Sequence, residues 1–189
     1  MYKKSSLIAD IEAFHPFDTT ESQHKSAILT LLNNTDECFE RHNFPGHVTG
    51  SAFVISPNGQ QVLMTHHKFL GRWLQFGGHA DGEVDIRNVA LREAQEESGI
   101  MEIEFFMTEI FDIDVHPIPA NPKKNEPAHL HYDIRYLLRT KTHEFAVSEE
   151  SNELKWFTLA ELQDLSPANT FDRMIAKWQQ RIASSPLSA

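Results

Sequence analysis

Residues 86–98 read IRNVALREAQEES, and the way these side chains sort around a helix restricts the fold more than any other stretch of the chain. At about 100° per residue, Ile86, Val89, Ala90, Leu91 and Ala94 fill one continuous arc of roughly 200°. An arc that wide has to be buried against a sheet or other helices. The same arithmetic puts Glu93 and Glu97 inside the arc and Glu96 at its edge. Asp85 stands at the N-cap position, and Gly99 stands where the backbone can turn left-handed and end the helix, followed by apolar Ile100.

Carboxylates in such an arc carry a cost. Glu93–Glu97 and Glu93–Glu96 are like-charge pairs at i, i+4 and i, i+3, each unfavourable by a few tenths of a kcal/mol, about the size of a favourable pair. Acids near a helix C-terminus also oppose the macrodipole. An Arg92–Glu96 pair at i, i+4 accounts for an ordinary solvated helix end but leaves Glu93 and Glu97 unexplained. A divalent cation removes both penalties. Oxygen donors spread over one helical turn suit a hard ion such as Mg²⁺ or Mn²⁺, which keeps open positions for water and phosphate oxygens.

Gly77-Gly78-His79-Ala80-Asp81-Gly82-Glu83, followed by Arg92-Glu93-Ala94-Gln95-Glu96-Glu97-Ser98-Gly99-Ile100, resembles the Nudix box, G-x5-E-x7-R-E-U-x-E-E-x-G-U with U aliphatic. Two positions depart from it: Val84 occupies the place of the first glutamate, with Glu83 one residue early, and Ala94 replaces a larger aliphatic residue. The resemblance implies an α/β protein, a Nudix-like α/β/α sandwich with a mixed sheet. It implies a metal-dependent hydrolase that cleaves the diphosphate bond of a nucleoside diphosphate linked to some moiety X. In that family's terms Glu93, Glu96 and Glu97 are the ligands of Mg²⁺ or Mn²⁺, and Glu96 and Glu97 are the candidates for acid–base work. The backbone at Gly77 and Gly78 approaches metal or phosphate, and Arg92, Glu83 and Gly99 are structural parts of the box. Glu83 or Asp85 is expected to stand in for the first glutamate as the partner of Arg92. Family members often recruit a further base from a later loop, for which Glu149, Glu150 and Glu153 are the candidates, Glu150 among the catalytic set. A Nudix-fold sensor that binds a nucleotide without turning it over is the alternative. Val84 favours the sensor, and retention of all three glutamates favours the enzyme.

Charge narrows the partners. Seventeen Lys and Arg against 27 Asp and Glu give a formal net charge of −10, and no basic run exceeds two residues. A nucleic-acid backbone or an anionic membrane is not the partner of such a surface. No apolar run reaches bilayer length and no secretory h-region opens the chain, so a cytoplasmic protein acting on a small nucleotide-type diphosphate is expected. A single cysteine, Cys38, excludes an internal disulfide.

Residues 1–43 read as a helical extension. Leu7, Ile11 and Phe14 recur at helical spacing, His15-Pro16 breaks the pattern, and Ala27, Ile28, Leu31 and Leu32 resume it. The extension carries no motif with chemistry and is assigned to packing, a lid or a homodimer contact. Residues 44–189 form the catalytic domain. Within it the patterns predict a hairpin of 52–55 with 61–64 about Pro57-Asn58-Gly59, a strand at 72–76, and two long strands at 103–115 and 129–138 flanking a proline-rich loop. The stripe Phe171, Met174, Ile175, Trp178, Ile182 predicts a C-terminal amphipathic helix.

Histidine is the remaining signal, 11 in all. Alternate strand residues share a face, which groups Asp112, Asp114 and His116, and separately His129, His131 and Asp133. Antiparallel pairing in the simplest register sets His116 opposite His129, Asp114 opposite His131 and Asp112 opposite Asp133. Three readings stay open: a solvated sheet surface, a wall of the substrate pocket where His79, His116, His129 and His131 present neutral imidazoles, or a dedicated His/Asp metal site. Trp73 is a candidate to stack a base, beside Phe76 and Tyr132, although strand aromatics more commonly serve the core.

Overall fold

Period-two apolar runs in the middle of the chain pair into one mixed sheet, and amphipathic helices cover its two faces. The computed structural model describes residues 2–122, 125–149, 151–165 and 171–184. In chain order the elements are α1 (Lys4–Ala13), α2 (Thr19–Asn34), a 3-10 turn (Glu37–Phe39), β1 (Gly46–Ile55), β2 (Gln61–His67), β3 (Arg72–Leu74), β4 (Phe76–His79), α3 (Ile86–Ser98), β5 (Ile103–Phe105), β6 (Asp112–Ile118), β7 (His129–Thr140), β8 (Ser151–Thr158), α4 (Leu159–Leu165) and α5 (Asp172–Ser184). The eight strands run β3-β2-β1-β7-β5, with β4 beside β1, β6 beside β7 and β8 beside β2. β1 and β7 pair in parallel over their full overlap, from Gly46 opposite Leu130 to Ile55 opposite Arg139.

Alternation along the strands divides the core. Val48, Ala52 and Val54 of β1 pack with Ile134, Tyr136 and Leu138 of β7 against α3 and the N-terminal helices. Phe53 and Ile55 face the other way with Leu137, closed by Met174, Ile175 and Trp178 of α5. The extension therefore has a packing role: Leu7, Ile11, Ile28 and Leu32 are fully buried in the same cluster as the strands and α3. α2 starts where Asp18 accepts the Glu21 amide at 2.7 Å, a side-chain N-cap.

α3 spans the residues that the wheel selected, burying Ile86, Val89, Ala90 and Ala94 together with Glu97, while Leu91 is half-buried. Gly99 ends it at φ 68, its amide returning to the Gln95 carbonyl at 2.9 Å. Only glycine adopts that backbone without strain. Asp85 occupies the N-cap position but caps nothing with its side chain, because both its carboxylate oxygens are taken by Arg87 at 2.8 Å.

Three strand expectations need correction. The stretch 103–115 is two strands, β5 and β6, both paired to β7 but separated by an irregular link. The stretch 72–76 likewise divides, β3 leaving along β2 while Gly77 and Gly78 continue into β4 alongside β1. The β6–β7 pairing is antiparallel about the proline-rich loop, but two residues out of the simplest register. His116 faces His131, Asp114 faces Asp133 and Asp112 faces Arg135. The ladder continues through Pro117 to Ile118, so the turn closes later on that side than the prolines suggested. Pro117 is tolerated because β6 pairs on one side only.

Candidate active site

The corrected register aligns polar side chains in rows across three strands. β1 contributes His47, Thr49 and Ser51, β7 contributes His131, Asp133 and Arg135, and β6 contributes His116, Asp114 and Asp112. His47 and His131 are neighbours across the parallel pair, and His79 of β4 lies opposite Thr49. The rows are knitted together: the Thr49 and Ser51 hydroxyls both donate to Asp133 Oδ1, at 2.9 and 2.7 Å.

At the centre lies Arg135, 4% exposed, which donates to Asp133 at 2.7 Å, Asp114 at 2.9 Å and Asp112 at 3.1 Å. Arg173 of α5 binds both oxygens of Asp112, at 2.7 and 3.0 Å, and Lys177 reaches the same carboxylate at 3.0 Å. Lys177 also pairs closely with Glu21 of α2, a fully buried acid that accepts the Ile113 amide at 3.2 Å. Burial raises the Asp114 and Asp112 carboxyls, but the cations and the His116 contact to Asp114 outweigh it and hold both below the ordinary range. Glu21 goes the other way, raised by burial and by the charge of Asp112. The face is thus a compensated ionic layer, and the expectation of a solvated sheet surface does not hold for it.

The histidine end of the rows is different. Burial pushes His79 down to about 4, helped by the charge of Arg41, and pushes His131 down to about 2, helped by the neighbouring imidazoles. His47 is lowered by burial as well. These rings are neutral at physiological pH, able to donate a hydrogen bond or offer a lone pair without carrying charge.

α3 supplies the facing wall. Glu97, 7% exposed, accepts the Gly77 amide at 3.0 Å, and the Glu93 carboxylate lies against Gly78 so closely that a Cβ there would sit 2.5 Å from its carboxyl carbon. A side chain at Gly78 would therefore displace the Glu93 carboxylate from this position. Glu96 is turned outward, its side chain 62% exposed. Arg92 sits at the rim, 3.0 Å from Glu93, 3.8 Å from Glu96 and donating to the His79 carbonyl at 3.2 Å. Neither Glu83 nor Asp85 replaces the first box glutamate beside it. Glu83 is spent on the Asp85 amide at 2.8 Å and Asp85 on Arg87.

One cavity of about 780 Å³ brings these parts together. Glu93, Glu96, Glu97, Gly77, Gly78 and His79 line one side, and His116, Asp114, His131 and Arg135 line another. Arg41 and Thr20 from the N-terminal extension and Arg173 and Met174 from α5 also line it; of these the sequence reading singled out Met174 alone, and as a core residue. Trp73 is not part of the lining. It packs edge-on against Phe157 at 4.8 Å on the face shared with α5. Phe76 and Tyr132 serve the opposite core. His129 is buried behind the wall, its ring 4.9 Å from His47. Glu149 and Glu153 are absent from the lining, and Glu150 lies outside the described residues. Among the described residues, the group of three whose ligand atoms all lie within 4.8 Å of one another is His47, His79 and His131, not the three glutamates.

Comparison with known proteins agrees with this architecture. The NUDIX domain model matches residues 46–179. The chain belongs to the Nudix family. A curated relative from Lactococcus lactis subsp. cremoris, "Probable DHNTP pyrophosphohydrolase", is 29% identical over 133 residues, covering 69% of this chain and 78% of the relative. Among solved structures, a C. elegans Ap4A hydrolase binary complex superposes with a TM-score of 0.59 at 15% identity, covering 73% of this chain and 98% of that one. The NUDIX domain of Shewanella oneidensis NrtR, complexed with ADP ribose, superposes with a TM-score of 0.51 at 18% identity, covering 81% and 97%. The structures share the fold. Among the described residues no helix is long and apolar enough to cross a membrane.

Proposed function

We propose that the protein is a Nudix pyrophosphohydrolase that requires Mg²⁺ or Mn²⁺ and cleaves the diphosphate bond of a nucleoside diphosphate linked to X. The observation that carries this reading is the shared cavity: Glu93, Glu96 and Glu97 line it from α3, opposite neutral imidazoles and the Arg135 layer. The three carboxylates offer hard oxygen donors, and the absence of a Cβ at Gly78 lets the Glu93 carboxylate lie against the strand. When bound, such an ion neutralises phosphate charge and lowers the pKa of a coordinated water.

The chain's own groups do the positioning. The Gly77 amide holds Glu97 in place from the adjacent strand, and Arg92 steadies Glu93 at the rim. Glu96 and Glu97 are the groups placed to take a proton from attacking water. His79, His116 and His131 present imidazole edges to the cavity, and Arg41 stands at its edge paired with Asp81. The cavity volume fits a nucleotide-sized ligand.

A panel of nucleoside diphosphate derivatives with Mg²⁺ or Mn²⁺, with phosphate read after a coupled phosphatase, tests the proposal. Metal-dependent release from at least one member is expected. The sensor reading is favoured by Val84, which leaves Arg92 without the usual box acid, and it would be upheld by tight binding of a panel member with no release.

A further inference from the structure

We propose that His47, His79 and His131 form a second metal site, distinct from the glutamates of α3, that takes one divalent ion of the zinc class. The ligand nitrogens of the three rings lie within 4.8 Å of one another, and the rings meet pairwise at 5.0 to 5.2 Å between centroids. They come from three different strands, β1, β4 and β7, so their convergence is a property of the sheet and not of local sequence.

The tautomer of His47 supports a metal more than an anion. Its Nδ1 faces the Asn43 carbonyl at 3.4 Å, and a carbonyl only accepts, so Nδ1 carries the proton. Nε2 is left with a bare lone pair, buried and without a hydrogen-bond partner in a residue only 1% exposed. A phosphate oxygen would repel that lone pair. A metal ion satisfies it, and one ring nitrogen on a backbone carbonyl with the other on the ion is how ligand histidines are usually oriented. His129 repeats the orientation alongside, Nδ1 on the Pro127 carbonyl at 2.8 Å and Nε2 3.3 Å from His131 Nε2.

Ligand chemistry selects the ion. Three neutral imidazoles suit Zn²⁺, Co²⁺ or Ni²⁺, whereas Mg²⁺ keeps to oxygen donors and waters. His79 and His131 line the cavity and His47 lies behind it, so the fourth coordination position opens toward the substrate side.

The test reads metal content in the full chain without substrate, which keeps it independent of the hydrolysis reading. Chelator-stripped protein is titrated with Zn²⁺ and with Co²⁺ in excess Mg²⁺, following bound metal by elemental analysis and the cobalt d–d bands. One equivalent retained against Mg²⁺, with a tetrahedral cobalt spectrum, is expected. His131→Ala and half-buried His79→Ala should each weaken binding by more than about tenfold, and Glu97→Gln should leave it intact. His47→Ala adds the buried ligand if circular dichroism shows that it folds. No retained zinc, zinc displaced by Mg²⁺, loss in Glu97→Gln, or binding unchanged in His79→Ala and His131→Ala would each overturn the site.

Discussion

Two sets of acids stand at or behind the wall of the same cavity and are handled in opposite ways. On β6 and β7, Asp112, Asp114 and Asp133 are interlocked with Arg135, Arg173 and Lys177, all at buried or nearly buried positions. On α3, the cation beside Glu93 and Glu96 is Arg92, whose side chain is 44% exposed. An exposed pair is worth roughly 0–1 kcal/mol and rearranges readily. Breaking a buried one leaves an uncompensated charge, at about 3–5 kcal/mol. The comparison teaches that carboxylates alone do not mark a site. Those supplied with buried cations are architecture, and those whose neighbouring cation stands at an exposed rim are the ones that the proposed function assigns to a metal ion.

The largest effect that could break this contrast is on turnover. Glu97→Gln keeps the size and the Gly77 contact but removes a charge, and on a confirmed substrate it should lower kcat by on the order of a hundredfold or more with the fold intact. Near wild-type turnover would move Glu97 from the reacting group to the architecture. Next comes stability. Arg135→Met should cost about 3–5 kcal/mol, read as a lower midpoint in denaturant, whereas Glu93→Gln in the absence of metal should be neutral or slightly stabilising. Equal costs for the two would erase the distinction.

The same contrast has an acid limb. Asp112 and Asp114 have depressed folded-state values, so the stability they contribute is fully present above the ordinary aspartate range near 4 and is lost as pH falls below it. Thermal midpoints measured down through that window should fall more steeply for the wild type than for Arg135→Met. The smallest effect sharpens the assignment of the histidine wall: His116→Ala should raise KM severalfold, about 1 kcal/mol, with kcat little changed. An unchanged KM would confine His116 to its contact with Asp114.

What the sequence disclosed follows from the distance over which each signal acts. α3 was legible to the residue because its period, its end at Gly99 and its misplaced glutamates all sit within a few turns. The β6–β7 register was not, since it depends on how far the ladder runs into a proline-rich stretch, which periodicity does not measure. Trp73 failed as a base-stacking candidate for a similar reason: alternation puts it on one face of β3, but only the sheet order decides which face meets the cavity. His47 was passed over although its strand carries a readable signal. His47, Thr49 and Ser51 alternate with apolar residues in an otherwise buried strand, as His131, Asp133 and Arg135 do in β7, and two such polar stripes are candidates to lie side by side.

Glu21 gives the cavity wall an order of assembly. Its partner Lys177 lies 156 residues downstream, and Arg173 and Lys177, two of the cations on Asp112, come from the same late helix. As the chain is synthesised, Glu21 and Asp112 are therefore made long before those neutralising groups exist. Closing β6 over them early would bury Glu21 without its lysine and leave Asp112 with Arg135 alone. The nascent protein has reason to leave this edge of the sheet open until α5 arrives, so closing the ionic layer waits on a contact of very long range for a domain of this size.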